Sequence, residues 1–108
     1  MSYSIEVTAY FANQLKRLAK KFPSIKREYE ELIYSLKEKP NQGINIGNNC
    51  FKIRMSIASK QKGKSGGARV ITYVQVTETR IYLLSIYDKS EQSNINDKDL
   101  DDWLKDIE

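Results

Sequence analysis

Lys52 and Arg54 stand two apart in a stretch that alternates apolar and polar residues. A strand there puts both cations on one face. Three lysines follow, Lys60, Lys62 and Lys64, and Arg69 opens the next β-branched run. From Cys50 to Thr77 the chain carries these six bases and no acid. Guanidinium forks match phosphate oxygens in two-point contacts, and lysines add salt-dependent affinity. The set therefore suits a polyanion, RNA first. A blander reading makes these edge-strand lysines that discourage strand-to-strand aggregation. That accounts well for single exposed lysines. It accounts less well for two arginines at strand ends with no acid among them.

What is missing narrows the chemistry. The chain has no histidine and one cysteine, Cys50. The commonest general base and the commonest metal ligand are thus absent, and no metal or cofactor is expected. No loop stacks alternating carboxylates ahead of a glycine, as a calcium site would. Cys50 cannot form an internal disulfide and suits a reducing, cytoplasmic setting. Gly63-Lys64-Ser65 looks like the end of a phosphate-binding P-loop. That motif needs a glycine at position 58, where Ala58 stands, and a helix afterwards, where a strand is expected. No apolar run approaches the roughly 18 residues of a membrane span, and the first residues lack a signal-peptide pattern.

A second acid-free stretch, Tyr10 to Arg27, holds Lys16, Arg17, Lys20, Lys21, Lys26 and Arg27, while the tail from Asp97 to Glu108 is acidic. Such segregation again suggests a polyanion for the middle of the chain.

The elements that must position these residues can be read from periodicity. The 108 residues fit a single domain, 1–108. Tyr3 to Val7 reads as a strand. Thr8 caps a helix from Ala9 to about Lys21, and Pro23-Ser24 breaks it. Ser24 caps a second helix with the stripe Tyr29, Leu32, Ile33 and Leu36, ended by Pro40. Asn41 to Asn49 reads as loop. Cys50 to Ala58, Ala68 to Val76 and Arg80 to Tyr87 read as strands, and Ser59 to Gly67 as a basic hairpin loop. Asn96 caps a last helix, Asp97 to Ile107, with Leu100, Trp103, Leu104 and Ile107 as its docking stripe. The expected fold is α+β, in the order β-α-α-β-β-β-α. A helical hairpin packs on one face of an antiparallel sheet, with a C-terminal helix. Phe51, Ile53, Met55 and Ile57 point at the helices, and Lys52 and Arg54 at the other, partly open face. A closed hairpin would gather all six bases in one region.

Phe51-Lys52-Ile53-Arg54, the segment Lys62-Gly63-Lys64-Ser65-Gly66-Gly67-Ala68-Arg69-Val70-Ile71 and the segment Leu83-Leu84-Ser85-Ile86-Tyr87-Asp88-Lys89-Ser90 resemble the RelE/ParE superfamily of bacterial toxins. The HigB-like branch is the most similar, and the resemblance covers nearly the whole chain. It implies a RelE-like fold and a toxin of a type II toxin–antitoxin system. The implied activity is that of a metal-independent, ribosome-dependent endoribonuclease (an mRNA interferase) that inhibits translation. Implied partners are a cognate antitoxin, the ribosome and mRNA. Implied site residues are Lys52, Arg54, Arg69 and Lys89. RelE-type toxins add a tyrosine nearer the C-terminus, but Ser93 to Asn96 holds no aromatic residue. Tyr87 is the nearest candidate, with Asp88 beside it.

Cleavage by 2′-hydroxyl attack on the adjacent phosphorus can run without histidine. Arg54 and Arg69 would hold phosphate oxygens, and Lys52 would take the hydroxyl proton. Lys89 or Arg69 would support the leaving oxygen, and Tyr87 would stack on a base. Lys60, Lys62 and Lys64 would bind RNA from the loop. Two other readings stand: a ParE-type gyrase inhibitor, which generally lacks the basic set, and a non-catalytic RNA- or ribosome-binding module.

Overall fold

Thr8 decides where the first helix begins. Its Oγ1 accepts the Phe11 amide at 3.2 Å and donates to the Leu83 carbonyl at 2.8 Å. It therefore closes strand β1 (Ser4–Val7), starts helix α1 (Ala9–Lys21) and ties both to the sheet. The computed structural model describes residues 2–60 and 66–107. Helix α2 (Ile25–Glu38) follows a short break at Pro23. Ser24 sits at its N-cap but makes no capping bond; its hydroxyl serves Glu28 and Ser59 instead. Helix α3 (Asp97–Ile107) is capped as expected, with Asn96 Oδ1 accepting the Asp99 amide at 2.8 Å. Among the described residues no helix is long and apolar enough to cross a membrane.

Five strands form one sheet: β1, then β2 (Ile44–Gly47), β3 (Cys50–Met55), β4 (Ala68–Gln75) and β5 (Arg80–Asp88). Their spatial order is β1-β5-β4-β3-β2, and the neighbours from β2 to β5 pair antiparallel. Two features depart from the expected order. First, β1 joins the free edge of β5 in parallel, with Ser4 opposite Arg80. Second, the segment read as loop contains β2. Asn48 and Asn49 both take positive φ, 54° and 60°, as the two centres of a tight hairpin turn must. Gly43 precedes the edge strand at a positive φ of 93°, where a Cβ would collide with the Lys52 carbonyl.

The strand expected to run to Ala58 ends at Met55. The Glu28 carboxylate accepts the Ala58 amide at 2.9 Å and bends the chain into a short 3-10 turn, Ala58–Lys60. In β5 the register skips one residue, so that Ile71 faces Ser85 and Thr72 faces Leu83. Gln14 of α1 fills the break, its Oε1 accepting the Ile86 amide at 3.0 Å and the Ser85 hydroxyl at 3.1 Å.

The three helices pack on the two faces of this sheet. Ile53, Met55, Ile57, Val70, Val74, Ile81, Leu83 and Ile86 meet α1 and α2 in the larger core. Cys50, Ile71, Leu84 and Tyr87 meet Leu100 on the opposite face, with Trp103, Leu104 and Ile107 packed beside them. The tail helix therefore docks through its apolar stripe, and Asp97, Asp101, Asp102 and Asp106 are exposed. The Trp103 ring lies 5.5 Å from that of Tyr10.

Candidate nucleic-acid site on the second sheet face

Alternation along β3 sends Ile53 and Met55 into the helix-side core and turns Lys52 and Arg54 to the other face. The same alternation in β4 turns Arg69 away from Ala68 and Val70, and in β5 it turns Tyr87 away from Ile86. Register aligns them: Arg54 lies opposite Arg69, and Arg69 opposite Tyr87. One row across three strands thus reads Arg54, Arg69, Tyr87. Lys52 stands in the next row, opposite Ile71. Arg54 and Arg69 thus carry like charges directly opposite one another, in itself an unfavourable cross-strand pair.

The members of this row differ in exposure. Arg54 is exposed and Lys52 half-buried. Lys52 Nζ reaches Asn94 Oδ1 at 3.4 Å. Arg69 is only 4% exposed and Tyr87 only 2%. Arg69 Nη1 donates to the Ala68 carbonyl at 3.2 Å. The Tyr87 hydroxyl is buried without a hydrogen-bond partner. Burial pushes its pKa above the ordinary tyrosine value, and the nearby Arg69 pulls it back only in part. At neutral pH it is a donor and not a base. Its ring belongs to the α3-side core, so the expected stacking face is not exposed.

Lys60 does not join the others. It was expected in a basic loop, but it sits on the 3-10 turn, and its Nζ crosses to the helix side of the sheet. There it meets Asp88 Oδ1 at 2.6 Å and Ser90 Oγ at 2.6 Å, 5.5 Å from the centre of the Phe22 ring. The two side chains are 9% and 2% exposed. Burial works to raise the Asp88 pKa, but hydrogen bonds from Lys60 and Ser90 and the charge of Lys60 outweigh it and hold the carboxyl below its usual value. The bases therefore do not all gather in one region, because the nearest buried carboxylate claims Lys60. Lys62 and Lys64 lie outside the described residues.

Lys89 follows the strand end. Its amide donates to the Gly67 carbonyl at 3.0 Å and its Nζ to the Ser93 carbonyl at 3.0 Å. Sequence reasoning gave no clear role to Asp88, Ser90 or Glu28, which fix the hairpin base. The available signal was Asp88 itself, the one acid between Thr79 and Ser90, at the end of an apolar strand. A buried carboxylate there needs a cation.

Two guanidinium-bearing residues, Arg54 and Arg69, thus share one row, with Lys52 in the adjoining row of the same face. The chain matches the sequence profile of the RelE toxin of the RelE/RelB toxin–antitoxin system over residues 8–107. Its fold is similar to that of a free Escherichia coli RelE toxin in which two arginines are replaced by alanine. That match has a TM-score of 0.63 and 14% identity and covers 100% of both chains. The isolated E. coli RelE toxin matches with a TM-score of 0.62 and 13% identity, over 99% of this chain and 100% of that one. A chain of the toxin–antitoxin complex RelBE2 from Mycobacterium tuberculosis matches with a TM-score of 0.60 and 16% identity, over 82% of this chain and 99% of that one.

Proposed function

The chain belongs to the RelE toxin family, and on that premise we propose that it is a ribosome-dependent mRNA endoribonuclease that stops translation. The Arg54–Arg69 pairing, with Lys52 in the next row on the same face, is the observation that carries this reading. The scissile phosphate binds between the two guanidinium groups, whose forks stabilise the charge that grows on its oxygens. Lys52 takes the proton of the 2′-hydroxyl. The 2′-oxygen bonds to phosphorus, the bond from phosphorus to the 5′-oxygen breaks, and the Lys89 ammonium protonates the leaving oxygen. No metal is needed, since every charge in the step is met by a side chain.

Lys62 and Lys64 supply salt-dependent affinity for RNA, and Tyr87 walls the site. The segment Lys62 to Ile71 favours the HigB-like branch. A cognate antitoxin restrains the toxin by binding it directly. Solved structures of similar fold include toxin–antitoxin complexes. The cytoplasm, where ribosomes and mRNA meet, is the place of action.

The burial of Arg69 and Tyr87 favours a second reading, a non-catalytic ribosome-binding module. Purified protein with programmed ribosomes separates the possibilities. Cuts in mRNA at the ribosomal A site support the enzyme. Binding without cuts supports the module, and inhibition of DNA supercoiling supports a gyrase poison.

A further inference from the structure

Asp88 is the covalent link between Tyr87 and Lys89 and lies across from Ala68, the neighbour of Arg69. What holds Asp88 therefore holds the end of the catalytic row. Four contacts converge there. Lys60 Nζ reaches Asp88 Oδ1 at 2.6 Å and Ser90 Oγ at 2.6 Å. Ser90 returns its amide to Asp88 Oδ1 at 3.0 Å and its hydroxyl at 2.8 Å. The turn bearing Lys60 is itself anchored to α2: Glu28 takes the Ala58 amide at 2.9 Å, and Ser24 Oγ takes the Ser59 amide at 2.9 Å. Beside them Gly67 leaves no room for a side chain, since a Cβ there would collide with the Met55 carbonyl. The ends of β3, β4 and β5 are thus locked together at the mouth of the hairpin.

A buried ion pair is a poor source of stability, because desolvation of both charges offsets their attraction, and an apolar pair often serves as well. What it adds is one fixed geometry. We propose that Lys60, Asp88 and Ser90 are positioning residues: a clamp on the helix side of the sheet that sets where Arg69 and Lys89 stand on the active face. This rests on the endoribonuclease reading above. Lys60 touches no RNA in this role. A displacement of about 1 Å at a phosphate-holding group can cost about 100-fold in rate. Releasing the clamp should therefore slow chemistry without weakening encounter.

The test uses the double variant Lys60→Met/Asp88→Asn, which removes both charges and keeps a polar group for Ser90, together with the milder Ser90→Ala. Ribosome affinity, single-turnover cleavage of ribosome-bound mRNA and hydrogen exchange of the Lys89 amide are measured for each. Expected are affinities within about twofold of wild type, cleavage at saturation slowed by about tenfold or more in the double variant and less in Ser90→Ala, and faster Lys89 exchange in the same order. Wild-type cleavage rates in Ser90→Ala and in a folded double variant overturn the clamp and leave the activity standing. A parallel loss of affinity and rate shows a direct RNA contact and also overturns it. A wild-type protein that cuts no mRNA removes the activity itself, and the positioning role with it.

Discussion

Lys60 and Arg54 come from the same acid-free stretch, yet the fold sends them to opposite sides of the sheet and gives them opposite neighbours. On the helix side Lys60 meets a buried carboxylate at 2.6 Å. On the other side Arg54 faces a second arginine across the strands. A cation sealed against an acid is part of the framework. A cation opposite another cation across two strands stands in the row proposed above to hold phosphate. Charge counts along the chain cannot separate the two, because they see composition and not neighbours.

The sharpest way to break this contrast is to remove one member from each side. Arg69→Ala should lower mRNA cleavage about 100-fold or more, as loss of a preorganised donor does at comparable sites. Single-turnover cleavage on ribosomes, with circular dichroism to confirm the fold, measures it. Asp88→Leu instead leaves the Lys60 charge buried without its carboxylate. It should cost about 3–5 kcal/mol of stability, measured by urea unfolding. A larger loss of stability from Arg69→Ala than from Asp88→Leu would invert the comparison.

Acid gives a gentler probe of the helix side. Asp88 has a folded pKa below its ordinary value, so its contribution to stability is complete above the unfolded value, about 4. It fades as pH falls from there through the folded value. The wild type should therefore lose more stability between neutral pH and about pH 3 than Lys60→Met/Asp88→Asn does. Parallel melting curves for the two proteins across that window would show that the pair does not couple to folding.

The smallest effect is expected at Glu91, which reaches Lys21 at 2.8 Å and Arg17 at 3.3 Å on the surface. Glu91→Gln should change stability by less than about 1 kcal/mol, and salt should erase the difference. A salt-independent loss would place this pair with the buried one.

The helices were legible because their signals are local. Thr8, Pro23 and Asn96 mark boundaries within a few residues of the stripes they flank, and α1 and α3 begin where those signals put them. The α+β class followed from the segregated order of helices and strands, and the shared face of Lys52 and Arg54 from alternation. Strand β2 was hidden because Asn and Gly were read as loop formers, although paired left-handed residues such as Asn48 and Asn49 equally make a two-residue hairpin. The place of Lys60 was hidden for a different reason. Its partner is 28 residues away at the end of β5, and only tertiary packing brings the two together. Tyr87 is a third case. Its burial depends on α3, whose apolar stripe was evident but whose docking position on the sheet was not.

Arg54→Ala tests the central claim most directly, because Arg54 is exposed and its loss should leave the fold intact. The measurement is 5′-end mapping of mRNA on programmed ribosomes treated with wild type or variant at matched, saturating concentration. The expected result is A-site cuts by the wild type and at least about 100-fold fewer by Arg54→Ala, with unchanged melting temperature. Equal cutting by both proteins, or none by the wild type, would contradict a catalytic role for the cationic row.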